Sequence, residues 1–350
     1  MREVYVAYSE ELTRISFTPA SLRENWTRRI RLFYEEFLPR LERRLPVSRV
    51  PVEPATEKEL LLAHDPEYVD FVKQKSREGR GLLDYGDTPA YPQVFEAALK
   101  AVGSTLTLAR LLREKPGIGF TPNGGFHHAR RRAAGGFCVF NDLAVAALWL
   151  RSQGVGRIAI VDIDAHHGDG TQQILYSEDV LKISVHGYGY GFYPGTGWID
   201  ELGDGQGLCK NINIPVPLGS GDDVFKLALE EIIVPQLEHY KPEFLIIQAG
   251  VDGHDGDPLT DLRFTENSYI RFAESISSIA RNIPVLVTGG GGYVPETVAR
   301  IWALELALMA GGDAREFTVG EVESSSSMAA VNALRDRLNW LKNKLEECSH

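Results

Sequence analysis

The sequence predicts an α/β fold: one domain built on a mostly parallel sheet with helices on both faces. Three observations carry this reading. Strand-like apolar runs alternate with amphipathic helical stretches along most of the 350 residues, which is the pattern of parallel strands joined by helical crossovers. No linker rich in Gly, Ser or Pro divides the chain, so a single domain is the simpler organisation. Chemistry-capable polar residues follow directly after several of the apolar runs, and open parallel sheets bind ligands beyond the carboxyl ends of their strands.

In chain order, strands are expected near Val4 to Tyr8, Gly117 to Thr121, Arg157 to Ile163, Leu181 to His186, Asn211 to Val216, Glu243 to Ala249 and Ile283 to Thr288. Thr56 with Glu59 forms a capping box, and Asp65-Pro66 offers an N-cap followed by proline at the first helical position, so two short helices should begin there. A longer helix should span about Pro92 to Leu112. Others should follow Val139, Asp222, Thr265 and Pro295, each opened by a residue that caps or fixes a first turn. Ser324 to Ser327 forms a polar hinge before a charged helix from about Ala329 to Glu347.

Composition narrows the function. Lys+Arg total 37 against Asp+Glu 48, a net charge of -11, which argues against a protein that grips nucleic-acid phosphates and is compatible with a cationic substrate. Cys138, Cys209 and Cys348 show no CxxC pairing, so neither a disulfide framework nor a cysteine zinc site is expected, and a reducing compartment is. With no signal-peptide pattern at the start and no apolar run of spanning length, the expected location is cytoplasmic, without membrane contact.

The richest segment is Asp162-Ile163-Asp164-Ala165-His166-His167-Gly168-Asp169-Gly170, at the end of the run Arg157 to Val161. Side chains two apart on a strand share a face, which would put Asp162, Asp164 and His166 in one column. Two carboxylates and an imidazole at the mouth of a core are costly to bury unless a cation neutralises them. Asp252 after the Glu243 run completes a three-ligand O/N set with Asp164 and His166, leaving a fourth position for water. Alone, each piece has a bland reading. A strand-end aspartate is commonly a cap, a His-His pair can be a core pair, and Gly289 to Gly292 could be a bend or an anion nest. Their joint occurrence shifts the balance toward a metal site.

At this point the chain resembles the zinc-dependent histone deacetylases and their bacterial and archaeal relatives, including acetoin-utilisation proteins. The resemblance rests on Gly124-Gly125-Phe126-His127-His128-Ala129, Gly136-Phe137-Cys138, Asn141-Asp142, Asp162 through Gly170, Phe192 through Gly197, Gly250 through Pro258 and Gly289 through Tyr293, in the family's order. It implies an arginase/deacetylase-like fold, a three-layer α/β/α domain on a parallel eight-stranded sheet, with a narrow tube leading to one catalytic zinc. Residues 1–311 would be the catalytic domain and 312–350 a helical extension packed on or beside it.

By the same resemblance Asp164, His166 and Asp252 are the metal ligands, and His127 and His128 the paired imidazoles beside the reacting water. Asp162 and Asp169 would hold those imidazoles from behind, fixing tautomer and basicity. Tyr293 matches the tyrosine whose hydroxyl meets the substrate carbonyl. Gly136, Phe137 and Tyr193 match the tube, with tyrosine where the family usually has phenylalanine. Asp87 matches the rim aspartate that holds the substrate backbone, and Arg29 the arginine of an inner acetate-release pocket. A structural potassium would take carbonyls of Asp162, Asp164 and His166, with Ser184 and Val185.

The implied function is metal-dependent removal of acetyl or acyl groups from the Nε of lysine or a similar primary amine. The resemblance favours His128 for the general acid/base work and His127 for electrostatic support, which the residues alone do not separate, and the donor set also suits Fe(II) or Mn(II). The substrate stays open among protein lysine, polyamine and small metabolite. A two-manganese ureohydrolase is the nearest rival, with Gly168 offering no second-metal ligand and His254 a conditional one. A carboxylate-nucleophile phosphatase would leave His127, His128 and Tyr293 unused, and an acyl-lysine binding module would not need them.

Overall fold

The computed structural model describes residues 1–348. Its strands are β1 (Val4–Tyr8), β2 (Val47–Pro51), β3 (Ile118–Thr121), β4 (Ile158–Asp162), β5 (Leu181–Tyr188), β6 (Asn211–Pro217), β7 (Phe244–Gln248) and β8 (Val285–Thr288). They form one sheet in the order β2-β1-β3-β8-β7-β4-β5-β6, with every pair parallel. Seven were expected from the sequence at nearly these bounds. The eighth, β2, is a half-exposed edge strand ending in Pro51, and an edge strand need not carry an apolar run.

Side-chain alternation on β3 identifies the two covered faces. A Cβ on Gly119 would lie 2.9 Å from Leu112, on the helix α5 (Val94–Glu114). The next residue, Phe120, points the opposite way and meets Phe33 and Trp302 edge-on. With the short α3 (Glu57–Leu60) and the longer α4 (Pro66–Glu78), α5 shares its side with α6 (Asp142–Ser152). The other side carries α1 (Ala20–Leu32), which runs into a π-helical turn Phe33–Phe37, and α11 (Pro295–Met309), against which the short α2 (Leu38–Glu42) packs. The capping box at Thr56 and the Asn141, Thr265 and Ser327 caps are all made. Three helices had no expectation: α1, whose charged face masks its buried residues, the short α2 that continues it, and α7 (Asp169–Leu175), which begins inside the metal-site motif.

Register aligns the sheet's chemistry. Phe120, Val287, Ile247, Val161, Ile183 and Ile212 form one apolar row across six strands. The next row toward the carboxyl edge is Thr121, Thr288, Gln248, Asp162, Ser184 and Asn213, all fully buried. The sheet thus turns polar in a single step where its floor meets the site.

Beyond α8 (Asp222–Ala228), α9 (Val234–Tyr240) and α10 (Glu266–Ile279), the chain ends in an extended strap and then α12 (Met328–Glu347). Backbone N–H groups of Val319, Gly320 and Glu321 donate to the Glu266 carboxylate, and Ser324 and Ser326 bind Asp222 and Asp223. The Ser324 to Ser327 segment is therefore tied down rather than hinged. Along edge strand β6, Arg337 of α12 donates to the Pro215 carbonyl at 2.6 Å, occupying an edge group that would otherwise be free to pair. Cys209 and Cys348 form a disulfide with Cα atoms 6.2 Å apart. This corrects the expectation of unpaired cysteines and removes its argument for a reducing compartment, because two cysteines 139 residues apart leave no local spacing to read.

Candidate metal centre

Four motif loops leave β3, β8, β7 and β4, which are neighbours at the centre of the sheet. The chain passes from β3 to β4 and later fills the gap with β7 and β8, so segments distant in sequence open onto one place.

β4 stops at Asp162, and beyond it the strict alternation of a strand no longer applies. The expected column splits accordingly. Asp162 turns to His127, whereas Asp164 and His166 converge on Asp252: His166 Nδ1 lies 2.8 Å from Asp252 Oδ2 and 3.4 Å from Asp164 Oδ1. One ligand atom from each of Asp164, His166 and Asp252 falls within 4.8 Å of the others. Their remaining oxygens are already engaged. Asp164 Oδ2 accepts from Gln248 Nε2 at 2.7 Å and Gly291 N at 2.6 Å, and Asp252 Oδ1 accepts from Ala165 N at 2.8 Å. Asp252 is held by Oδ1 and presents Oδ2, while Asp164 presents Oδ1, which also accepts from His166 N at 3.0 Å; such fixed carboxylates are oriented for a cation. Close approach demands glycine here, since a Cβ on Gly291 would lie 2.1 Å from Asp252 Oδ2.

Beside this trio stand two imidazole–carboxylate pairs. His127 Nδ1 meets Asp162 Oδ2 at 2.8 Å and His128 Nδ1 meets Asp169 Oδ1 at 2.7 Å. The two Nε2 atoms are 3.1 Å apart. Burial alone would discharge both rings, but Asp162 and Asp164 outweigh it at His127 and raise its pKa to about 9. At His128 burial is reinforced by the charge on His127 and prevails over Asp169, lowering it to about 4. In the ligand trio, Asp252 and Asp164 overcome burial to hold His166 up at about 10, while burial and Asp164 push Asp252 up to about 7. The two carboxylates thus favour positive charge between them, on His166 first. A divalent cation fits the same place and would take over that charge.

The site floors a cavity of about 250 Å³. Tyr293, Gly136, Phe137, Tyr193 and Asp87 all line it with the ligand and histidine residues. Phe137 sits at φ +64, held in a turn by Cys138 N to Gly135 O at 2.8 Å and by Phe137 N to Thr88 Oγ1 at 3.1 Å. Tyr293 is anchored by its own N–H to Asp257 Oδ2 at 2.7 Å. Ser184 lies beside Asp162 in register, its hydroxyl 2.8 Å from His186 Nδ1, and Val185 is buried on β5. Arg29 is fully buried, stacks on Trp26 at 3.6 Å and gives Nη1 to the Gly292 carbonyl, leaving Nε and Nη2 without partners.

The conditional second-metal ligand is otherwise engaged: His254 Nε2 binds Glu321 at 2.9 Å. A Cβ at Gly168 would lie 2.5 Å from Asp162 Oδ2, so no larger residue fits there.

The histone deacetylase domain pattern matches residues 21–309 of the sequence. The chain belongs to the histone deacetylase family. A protein named "Probable deacetylase" in Archaeoglobus fulgidus is 39% identical over 271 residues, covering 74% of this chain and 73% of its own. Histone deacetylase 6 of Arabidopsis thaliana is 34% identical over 286 residues, covering 77% of this chain, which spans only 59% of the plant protein. The crystal structure of the HDA15 HD domain matches with a TM-score of 0.85 at 28% identity over 98% of both chains. The all-parallel eight-stranded sheet is thus the fold of a histone deacetylase domain.

Sequence reasoning missed Gln248, Asp257, Arg130, Trp26 and Leu259. Gln248 was inside a strand read as core, although its place at the strand end, before Gly250 and Asp252, was a usable signal. Trp26 and Leu259 look apolar and generic, and only the fold brings them to the cavity.

Proposed function

We propose that this histone deacetylase family protein is a metal-dependent amidohydrolase that removes acetyl groups from the Nε of lysine or a similar primary amine. The observation that carries the reading is the pair of carboxylate-backed imidazoles, Nε2 to Nε2 at 3.1 Å, opening into the same cavity as the Asp164, His166 and Asp252 trio and Tyr293. Zinc is the cation proposed for the trio, where it would lower the pKa of a water toward ~7 and polarise the acyl carbonyl.

The chain supplies the rest. His128, uncharged at neutral pH, accepts the water's proton and returns it to the amine nitrogen as the C–N bond breaks, and Asp169 holds its ring for both transfers. His127, held by Asp162, stabilises the developing negative charge beside His128. Tyr293 donates its hydroxyl to the carbonyl oxygen as charge builds there. Phe137 and Tyr193 flank the acyl-bearing stem and exclude water, and Asp87 at the rim accepts from the substrate backbone. Arg29, with two unpaired buried donors, receives the released carboxylate. Carbonyls of Asp162, Asp164 and His166, with Ser184 and Val185, would hold a potassium ion. Residues 1–311 form the catalytic unit in this reading, and 312–350 its extension, in a cytoplasmic enzyme that does not bind nucleic acid directly.

The test is hydrolysis of a fluorogenic acetyl-lysine peptide by zinc-loaded protein, extended to acetylpolyamines and longer acyl chains. Zinc-loaded protein that turns over none of them would end the proposal. The ureohydrolase alternative is disfavoured by Gly168, where a second-metal ligand has no room.

A further inference from the structure

The two imidazole–carboxylate pairs differ in what holds the far oxygen of the carboxylate. Behind His127, Asp162 Oδ1 accepts a backbone bond from Asp164 N at 3.2 Å. Behind His128, Asp169 Oδ2 accepts from the Arg130 guanidinium, through Nε at 2.8 Å and Nη2 at 2.6 Å. The Asp169 side chain is 5% exposed and that of Arg130 45%, so the cation reaches a buried anion from the surface. Arg130 is itself fixed. Its N–H donates to Ala133 O at 2.8 Å, and its carbonyl accepts from His64 Nδ1 at 3.0 Å. The other nitrogen of His64 accepts from Asn141 N at 2.9 Å, which sets that ring's tautomer.

We propose that Arg130 is a positioning residue for His128, acting through Asp169: the guanidinium engages one carboxylate oxygen, commits the other to His128 Nδ1, and so aims Nε2 of His128 at the cavity. The inference deepens the deacetylase reading and rests on it for its catalytic meaning. An exposed Arg–Asp pair is worth little on its own, but here the anion is buried and its second contact is the imidazole. A carboxylate lacking the guanidinium would rotate more freely and hold the imidazole proton more tightly, favouring the imidazolium, which cannot accept a proton. Groups facing His128 are Asp169, His127, Tyr193, Cys138 and, farther off, the His166 ring. Asp169 is the one among them that pulls charge onto the ring, and Arg130 tempers it.

The experiment compares Arg130→Gln and Arg130→Lys in the full-length, zinc-loaded protein on an acetyl-lysine peptide. The glutamine variant is expected to lose about 10–100-fold in kcat with KM within about twofold of the parent, and lysine to recover most of the loss. The acidic limb of its kcat/KM profile should move to higher pH. In metal-free protein, imidazole nitrogen resonances of His128 should hold their proton to higher pH in Arg130→Gln than in the parent. A loss confined to KM, equal losses in both variants, or an unmoved acidic limb and resonance would overturn the role of Arg130. A parent protein without hydrolase activity but with the shifted resonance would sink the deacetylase reading and leave Arg130's hold on His128 standing.

Discussion

At the residue scale, the buried charges of the site set two expectations. On the proposed ligand set, metal binding displaces a proton from His166, whose pKa its carboxylate neighbours hold up at about 10, and at lower pH also that of Asp252, which burial raises to about 7. Affinity should therefore rise about tenfold per pH unit above neutrality and more steeply below it, as one and then two protons leave per ion. Competition titrations with a chromogenic chelator at several pH values check this, and a pH-independent affinity would exclude His166 from the ligands. Tyr293 makes a different demand. Its backbone is anchored by Asp257, so Tyr293→Phe should keep the fold and bind metal normally while losing about 10²–10³ in kcat, the usual value of one oxyanion donor. Elemental analysis with steady-state kinetics reads both halves. Asp252→Ala should instead lose the metal, since only Asp164 and His166 remain.

At the element scale, the carboxyl ends of four central strands carry almost everything the site needs, and this was largely legible in the sequence. The runs ending at Thr121, Ile163, Ala249 and Thr288 could be read because fully buried parallel strands are apolar throughout, and the polar residues after them stand out by contrast. Joining Asp252 to Asp164 and His166 rested on donor types at strand ends and on the resemblance, because strand order is a tertiary fact that no local pattern encodes. The column of Asp162, Asp164 and His166 was misread for a related reason: β4 ends at Asp162, and period two fails beyond it. Least legible was the strap before α12. Its serines look like linker, yet they satisfy Asp222 and Asp223, and Glu321 bridges His254, Arg300 and the Glu266 N–H. His254 lies two residues after Asp252, so Glu321→Ala should cost about 1.5–3 kcal/mol for its charged hydrogen bonds. It should also weaken metal retention. Urea unfolding and chelator challenge measure the two effects, and an unchanged midpoint would make the strap dispensable.

At the scale of the whole molecule, stability and chemistry sit at opposite ends of the sheet. The proposed ligands and the paired imidazoles gather at the carboxyl edge, while Cys209 lies just before β6 begins and its disulfide to Cys348 fastens the end of α12 there. The link closes a loop of 139 residues in sequence separation, and constraining so long a loop in the unfolded chain is the main source of a disulfide's stabilisation, typically about 2–4 kcal/mol. None of the residues around the cavity touches that link, and the strap is tied independently by Glu266, Asp222 and Asp223. Reduction, or Cys348→Ser, should therefore lower the free energy of unfolding by about that amount while kcat and KM at moderate temperature stay unchanged. Urea unfolding with and without reductant, set beside turnover under the same conditions, measures both quantities. A fall in kcat that tracks reduction would mean that the amino end of the sheet communicates with the metal centre, against the rigid apolar row that lies between them.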